Sequence, residues 1–410
     1  MSAASLVPVA KRPVAAAGFL KGVLLPSLFL LVSMLNLTLI VAGLKELVID
    51  ELHGTTRDAS LFFSIEMAAY IVFAPIWGLL SDRAGRRKPL VVAGFLLTAP
   101  LYWAYALVQD VTSLLLLRFV QGACSVMGWS TLMAMVLDNT DDKRRGRDMG
   151  LVGGALILGV SLGAPIGGYL SRHLGPRAPL EIAALLFLLL GLGSLALVEP
   201  DSVRVRASLG QIFSTLKTRP RLLLPFAFHF VDRYTVGFFV VLFPLYLGSL
   251  GVHDPAVRGR YLALFLLPFA LLQYWTGRIS ERIGAYAPLF WGSLLYGSVL
   301  CFVGYADLQR LWFVMIALGV LASIMFPPAL ALTGELSEPR TRGSAMGGFN
   351  LFGSLGFAIG PVAGAWAYDL RGFGFAFLLA GALEIAVVLG AFALLGLDLA
   401  RARPAREWNR

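Results

Sequence analysis

The chain has 410 residues, is 58% hydrophobic and 14% charged, and has a mean hydropathy of +0.78; a soluble domain carries roughly 25% charged residues, so a water-soluble globular protein is excluded. The formal net charge is +10, but the basic residues punctuate long apolar runs and call for no nucleic-acid partner. Two cysteines and four histidines form no cluster of metal-binding spacing, so no metal or other cofactor is expected, and Cys124 and Cys301 read as small core residues inside apolar runs.

Lys11, Arg12 and Lys21 precede the first apolar run with no small-residue cleavage site, so the first segment is expected to stay as an anchor. Bilayer-spanning apolar runs lie near 23–44, 59–80, 90–108, 112–136, 149–171, 180–198, 223–249, 261–277, 288–305, 311–333, 345–369 and 373–397. With the N-terminus inside, 24 of the 34 basic residues fall in inner segments and 8 in outer ones, while Arg118 and Arg233 lie within spans. That bias predicts a multi-pass protein of the inner (plasma) membrane with both termini cytoplasmic.

The second span carries Glu66 and closes on Gly78-Leu-Leu-Ser-Asp82-Arg83-Ala-Gly85-Arg86-Arg87. The fourth carries Arg118, Gln121 and Gly122 and is followed by Asp138. By helical rise, Glu66 and Arg118 stand at similar depths, which makes an interhelical ion pair plausible. The fifth span holds Gly163, Pro165, Gly167 and Gly168, small residues that let neighbouring helices approach and bend. A basic stretch at 200–221 follows, with Ile212, Phe213 and Leu216 beside Lys217 and Arg219, and predicts an amphipathic surface helix.

The seventh span carries His229, Asp232 and Arg233. Asp232 lies about ten residues in, roughly 15 Å deep, at the bilayer midplane. Adjacent helical residues point about 100° apart, so at least one of Asp232 and Arg233 is expected to find a partner on another helix or in a cavity, and His229 can neighbour either; the alternative is that Asp232 only neutralises Arg233 and coupling resides at Glu66. The eighth span closes on Gly277-Arg-Ile-Ser-Glu281-Arg282-Ile-Gly284. The tenth is bent by Pro327-Pro328 and followed by Glu335, the eleventh holds Gly360, Pro361 and Gly364, and the twelfth carries Glu384, which reads as structural. Ionisable groups within a membrane are costly and are functional candidates by default. Trp129, Tyr234, Tyr246, Tyr274 and Trp275 are candidate cavity aromatics.

The chain repeats itself. Asp82 and Glu281 are 199 residues apart in matching loops; Asp138 and Glu335, Met149 and Met346, and Gly163 and Gly360 are each 197 apart. This predicts two halves, 1–199 and 222–410, joined by the 200–221 linker. The stretch from Gly78 to Leu90 resembles the signature loop of the major facilitator superfamily, Arg118-Phe-Val-Gln121-Gly122 resembles its fourth-helix motif, and Gly159–Gly168 resembles the fifth-helix motif of its proton-coupled drug antiporters, with the proline one place displaced. Asp232-Arg-Tyr-Thr is similar to a string in the first helix of spinster-type lipid transporters, whereas the first-span stretch 34–38 here has no charge. The resemblance implies an all-α membrane protein of twelve transmembrane helices, in two six-helix halves related by pseudo-two-fold symmetry, with a site near the midplane.

The expected function is secondary transport by alternating access: proton-coupled export of a lipophilic or amphipathic compound, or alternatively symport or exchange of an organic anion at Arg118 and Arg233. No phosphate loop supports an ATP-driven pump. A transporter-fold enzyme or sensor would need a catalytic constellation or an added soluble domain, and neither is visible, so enzymatic activity is not expected. Asp232, Arg233, His229, Glu66, Arg118 and Gln121 are the candidates for coupling or substrate binding. A cytoplasmic gate is expected of Gly78, Asp82, Arg83, Gly85 and Arg86 with Asp138, and of Glu281, Arg282 and Glu335: Asp82 can face the N-terminus of the eleventh helix, and Glu281 that of the fifth. The expected partners are a small-molecule substrate, protons and the lipid bilayer, around a monomer.

Overall fold

The computed structural model describes residues 19–140, 145–200, 209–338 and 341–395, and these are almost wholly helical. Six spans form the first half: α1 (Leu25–Leu39), α2 (Thr56–Ala84), α3 (Lys88–Ala104), α4 (Val111–Asp138), α5 (Arg145–Leu174) and α6 (Ala178–Ser194). A short helix, α7 (Leu209–Thr218), follows in the linker. The second half comprises α8 (Leu223–Ser249), α9 (Pro255–Ile283), α10 (Tyr286–Phe302), α11 (Leu308–Glu335), α12 (342–370) and α13 (373–395). The last two run together except at Arg371 and Gly372, where Gly372 has φ +78 and breaks the helix. Residues 201–208 of the linker, and the chain ends that carry much of the predicted inner charge, lie outside the described residues.

Local signals set the ends. Thr55 caps α2 in a reciprocal capping box with Asp58. Asp110 caps α4 by accepting from Ser113, whose hydroxyl and backbone N–H hold the exposed Asp110 carboxyl below its usual range. Gly85 ends α2 in the left-handed region, at φ +63, where a side chain would be strained. Its repeat mate Gly284 ends α9 at φ +88.

The two halves are built alike. α5 crosses α1 on Gly159, Gly163 and Gly167: a Cβ on them would stand 2.2, 2.2 and 1.5 Å from the carbonyl oxygens of Leu31, Leu35 and Leu39. α12 crosses α8 on Gly356, Gly360 and Gly364, which meet Phe230 O, Tyr234 O and the Phe238 ring at 2.1, 2.1 and 2.4 Å. Backbone lies against backbone because no side chain intervenes. Pro165 and Pro361 sit within the same helices, and in α11 Pro328 is buried while Pro327 packs near Gly277 of α9.

Between halves, α5 meets α9 and α2 meets α12. Gly168 approaches Pro255 O, Gly259 approaches Ala164 O, and the Phe63 ring stacks on Phe357 at 5.4 Å. Among the described residues, three ion pairs cross between halves at the end holding the α1–α2 and α8–α9 turns: Arg57–Asp369 (3.0 Å), Arg172–Asp254 (2.9 Å) and Arg258–Glu46. At the opposite end of α5 a Cβ on Gly150, Gly153 or Gly154 would meet nothing within 4 Å. One end of the bundle is therefore packed shut between the halves, while the Gly150, Gly153 and Gly154 positions of α5 face open space at the other, where Asp148 and Val152 are still buried.

The linker helix is amphipathic and mostly exposed: Ile212 and Thr215 are buried, Ile212 against Gly347 and Gly348 of α12, while Phe213, about 100° round the helix, stays exposed.

Candidate functional site

Each half encloses a carboxylate–guanidinium pair in the middle of its spans. In the first half, Gly122 lets α4 lie against α2, since a Cβ there would sit 2.9 Å from that of Ala69. Arg118 then reaches Glu66 with Nη2 at 2.5 Å from Oε2 and donates from Nη1 to Gln121 Oε1 at 3.0 Å. Gln121, one turn from Arg118 on the same face, donates to Glu66 Oε1 at 3.2 Å, and the Tyr70 hydroxyl donates to that oxygen at 3.0 Å. The Arg118 guanidinium lies 4.2 Å above the Phe62 ring, and Tyr102 lies 3.5 Å from its Nη1. The pair expected from matching depths is present, and it is sealed: Glu66 is 1% exposed and Arg118 0%. Tyr70 and Tyr102 escaped the sequence reading, although Tyr70 stands one turn from Glu66 at i+4 spacing.

The second site is built on neighbours within one helix. Asp232 and Arg233 find each other, with Arg233 Nε donating to Asp232 Oδ2 at 2.9 Å. Arg233 Nη2 lies at the same distance from that oxygen, but without hydrogen-bond geometry. The long arginine side chain folds back across the 100° that separates adjacent residues on a helix. Its guanidinium also lies over the rings of Phe269 on α9 and Phe326 on α11, at 5.3 and 5.1 Å. Asp232 Oδ1 is buried without a hydrogen-bond partner. His229 is 3.9 Å from Asp232, too far for a hydrogen bond, and stacks face to face on Phe349 of α12 at 3.8 Å. Gly353 makes room for that ring: a Cβ there would lie 2.2 Å from His229 Nε2. Three helices thus grip the His229–Asp232–Arg233 face of α8.

Of the candidate cavity aromatics, Trp129 packs edge-on to Tyr70. Tyr234 and Tyr246 are buried in helix packing, and Tyr274 and Trp275 are exposed on α9.

Of the gate residues of the first half, Asp82 and Asp138 converge on Arg87. Arg87 is fully buried, pairs with Asp82, donates to Asp138 Oδ2 from Nε at 2.9 Å and reaches Ser81 Oγ at 2.5 Å. Glu199, just after α6, accepts from the backbone N–H groups of Arg87 and Lys88 at the start of α3. Gly78 is buried, whereas Arg83, Gly85 and Arg86 are exposed, as are Glu281, Arg282 and Glu335 of the second half. Among the described residues no group of His, Cys, Asp or Glu has the geometry to hold a metal ion.

The family model of the Major Facilitator Superfamily matches residues 27–262 and 226–410. This chain belongs to the Major Facilitator Superfamily. It is 26% identical over 370 residues to the synaptic vesicular amine transporter of Rattus norvegicus, covering 87% of this chain and 69% of the relative. It is 23% identical over 318 residues to the multi-drug resistance efflux pump PmrA of Streptococcus pneumoniae, covering 75% and 78%. Among solved structures, a bacterial homolog of the human lysosomal transporter Spinster, inward-facing and occupied, superposes with a TM-score of 0.77 at 13% identity, over 92% of this chain and 97% of the other. The human organic anion transporter MFSD10 gives 0.66 at 20% identity, over 93% and 100%. Those two likenesses speak to fold alone. The chain is a multi-pass membrane transporter of the superfamily, and its substrate is a small molecule.

Proposed function

We propose that the chain is a proton-coupled secondary transporter that exports a lipophilic or amphipathic compound by alternating access, with coupling at Asp232. The observation that carries this reading is the buried Asp232–Arg233 pair at mid-span, clamped by rings from α9, α11 and α12. Protonating Asp232 cancels the charge that holds Arg233, and Arg233 and His229 are then free to move relative to the helices that grip them. A proton that binds the two states differently shifts the equilibrium between them, which is what coupling requires. The named activities of the efflux pump and of the vesicular amine transporter support export of such compounds.

The proposal extends to the setting: a monomer in the inner (plasma) membrane with cytoplasmic termini, gated on the inside by the Asp82 loop and its repeat at Glu281. A second reading, an organic anion as substrate, draws on Arg233, whose side chain is 15% exposed while those of Glu66, Arg118 and Asp232 are 4% or less. Proteoliposomes with an imposed pH gradient separate these readings, with ethidium as a cationic probe and carboxyfluorescein as an anionic one. Asp232→Asn should abolish proton-driven accumulation of ethidium and leave exchange flux measurable. Accumulation that survives in Asp232→Asn but is lost in Glu66→Gln moves coupling to α2, and accumulation of carboxyfluorescein alone favours the anion.

A further inference from the structure

Glu384 stands on α13, the last span, away from the helices that grip Asp232. It is fully buried. α13 brings it inward through a close crossing with α10, where a Cβ on Gly381 would lie 2.4 Å from Gly297 O and one on Gly297 would lie 3.0 Å from the Glu384 Cβ. Among the described residues no basic side chain forms an ion pair with it, and its Oε1 has no hydrogen-bond partner. Its surroundings are hydroxyls: Thr235 on α8, with Oγ1 3.5 Å from Oε2, and the buried Ser293 and Tyr296 on α10.

Thr235 is the link. Its hydroxyl donates to the backbone carbonyl of Asp232 at 3.0 Å. A threonine has one hydroxyl hydrogen. That hydrogen has two acceptors within reach, Asp232 O at 3.0 Å and Glu384 Oε2 at 3.5 Å; when it points to the nearer one, a protonated Glu384 can instead donate to the Thr235 oxygen. The charges agree. Facing this pocket are His229, Asp232 and Arg233 from α8 and Tyr296 from α10, and α13 contributes Glu384 alone. Two carboxyls and one guanidinium leave one negative charge unpaired, which a buried pocket disfavours unless one proton is bound. The Glu66–Arg118 pocket of the first half has one carboxyl and one guanidinium, and balances without a proton.

We propose that Asp232 and Glu384 form a two-carboxyl proton site that shares one proton, and that Glu384 holds it while Asp232 is engaged by Arg233. When Arg233 is drawn from Asp232, an O–H bond at Glu384 breaks and one forms at Asp232. The negative charge passes the other way, and the proton can then exchange with cavity water from Asp232. This rests on the proton-coupled reading above and adds the residue where the proton resides.

Glu384→Gln tests it, because an amide can still donate to Thr235 but cannot release a proton. In proteoliposomes under a pH gradient, ethidium accumulation should fall at least tenfold, and the pH dependence of downhill flux should flatten, while exchange flux stays measurable. If the wild-type protein responds to the gradient and Glu384→Gln responds equally, Glu384 is not part of the site, although proton coupling stands. If the wild-type protein ignores the gradient, both readings fall. Infrared spectra of wild type and of Glu384→Asp, which keeps a carboxyl, cover a glutamine variant that does not fold. The wild-type spectrum should contain a protonated-carboxyl C=O band that moves in the aspartate variant, and a spectrum without such a band overturns the proposal.

Discussion

Glu66 and Arg118 neutralise one another in a pocket closed to water, so each is the other's solvent. Removing one partner of such a buried pair typically costs about 3–5 kcal/mol, because the remaining charge is stranded. Glu66→Gln and Arg118→Met should each lower the thermal unfolding midpoint markedly, and the double variant should recover much of the loss. A thermal-shift double-mutant cycle reads this, and additive losses would show that the pair is not the unit of stability. This site was legible in the sequence because depth along two helices is simple arithmetic on helical rise. The second was legible in its members, with its pairing left open: position along a helix fixes where a Cβ points, but an arginine is long enough to turn back on its neighbour. The tyrosines around Glu66 were missed because a hydroxyl within an aromatic-rich span looks like any other core ring until its helix is rotated into place.

Helices of this protein meet on glycine, and the cost of filling those positions depends on what lies opposite. Gly360 faces the carbonyl oxygen of Tyr234, where a methyl would sit at 2.1 Å. Gly153 on α5 faces nothing within 4 Å. Gly360→Ala should force α12 away from α8 and destabilise by roughly 1–3 kcal/mol, the usual cost of overpacking. Gly153→Ala should be neutral or stabilise by up to about 1 kcal/mol through helix propensity. Melting curves of the two variants in the same detergent decide it, and a reversed order would mean that the crossings are looser than the structure shows. The twelve spans themselves were evident from apolar runs, but their ends were not. The apolar run 261–277 continues as helix over Pro255–Ile283, through Arg258, Arg260, Arg278 and Arg282. Backbone hydrogen bonding is indifferent to polarity, and long basic side chains reach water or a partner from within a helix. Asp254 followed by Pro255 was the available signal for that start, a capping residue before a proline at the first helical position. The turn of wide helix at Lys45–Glu51, which extends α1 and carries Glu46, has no such signal and reads in the sequence as a charged loop.

At the scale of the whole molecule, the three ion pairs between halves close one end, and they are unequal. Arg57–Asp369 and Arg172–Asp254 have side chains 30–56% exposed; exposed pairs contribute about 0–1 kcal/mol. Arg258 is wholly buried, and its partner Glu46 lies on the other half. Its Nε and Nη1 have no hydrogen-bond partner, so Glu46 is what compensates the charge. Without that carboxylate, Arg258 is rehydrated only if α9 parts from the end of α1, which is a movement that would open this end of the bundle. Glu46→Gln should therefore shift the balance between the two ends, and about 1.4 kcal/mol suffices for a tenfold change in population. Spin labels at Asp110 and Arg310, exposed residues of opposite halves near the same end, report the separation by pulsed electron resonance, with Cys124 and Cys301 replaced. In Glu46→Gln the longer-distance population should grow at least tenfold relative to the shorter one. Asp369→Asn, which breaks an exposed pair, should leave the distribution nearly as it was. Equal shifts in the two variants would mean that the pairs act as a diffuse charge lock, and no shift in Glu46→Gln would mean that the glycine crossings between α5 and α9 hold this end shut unaided.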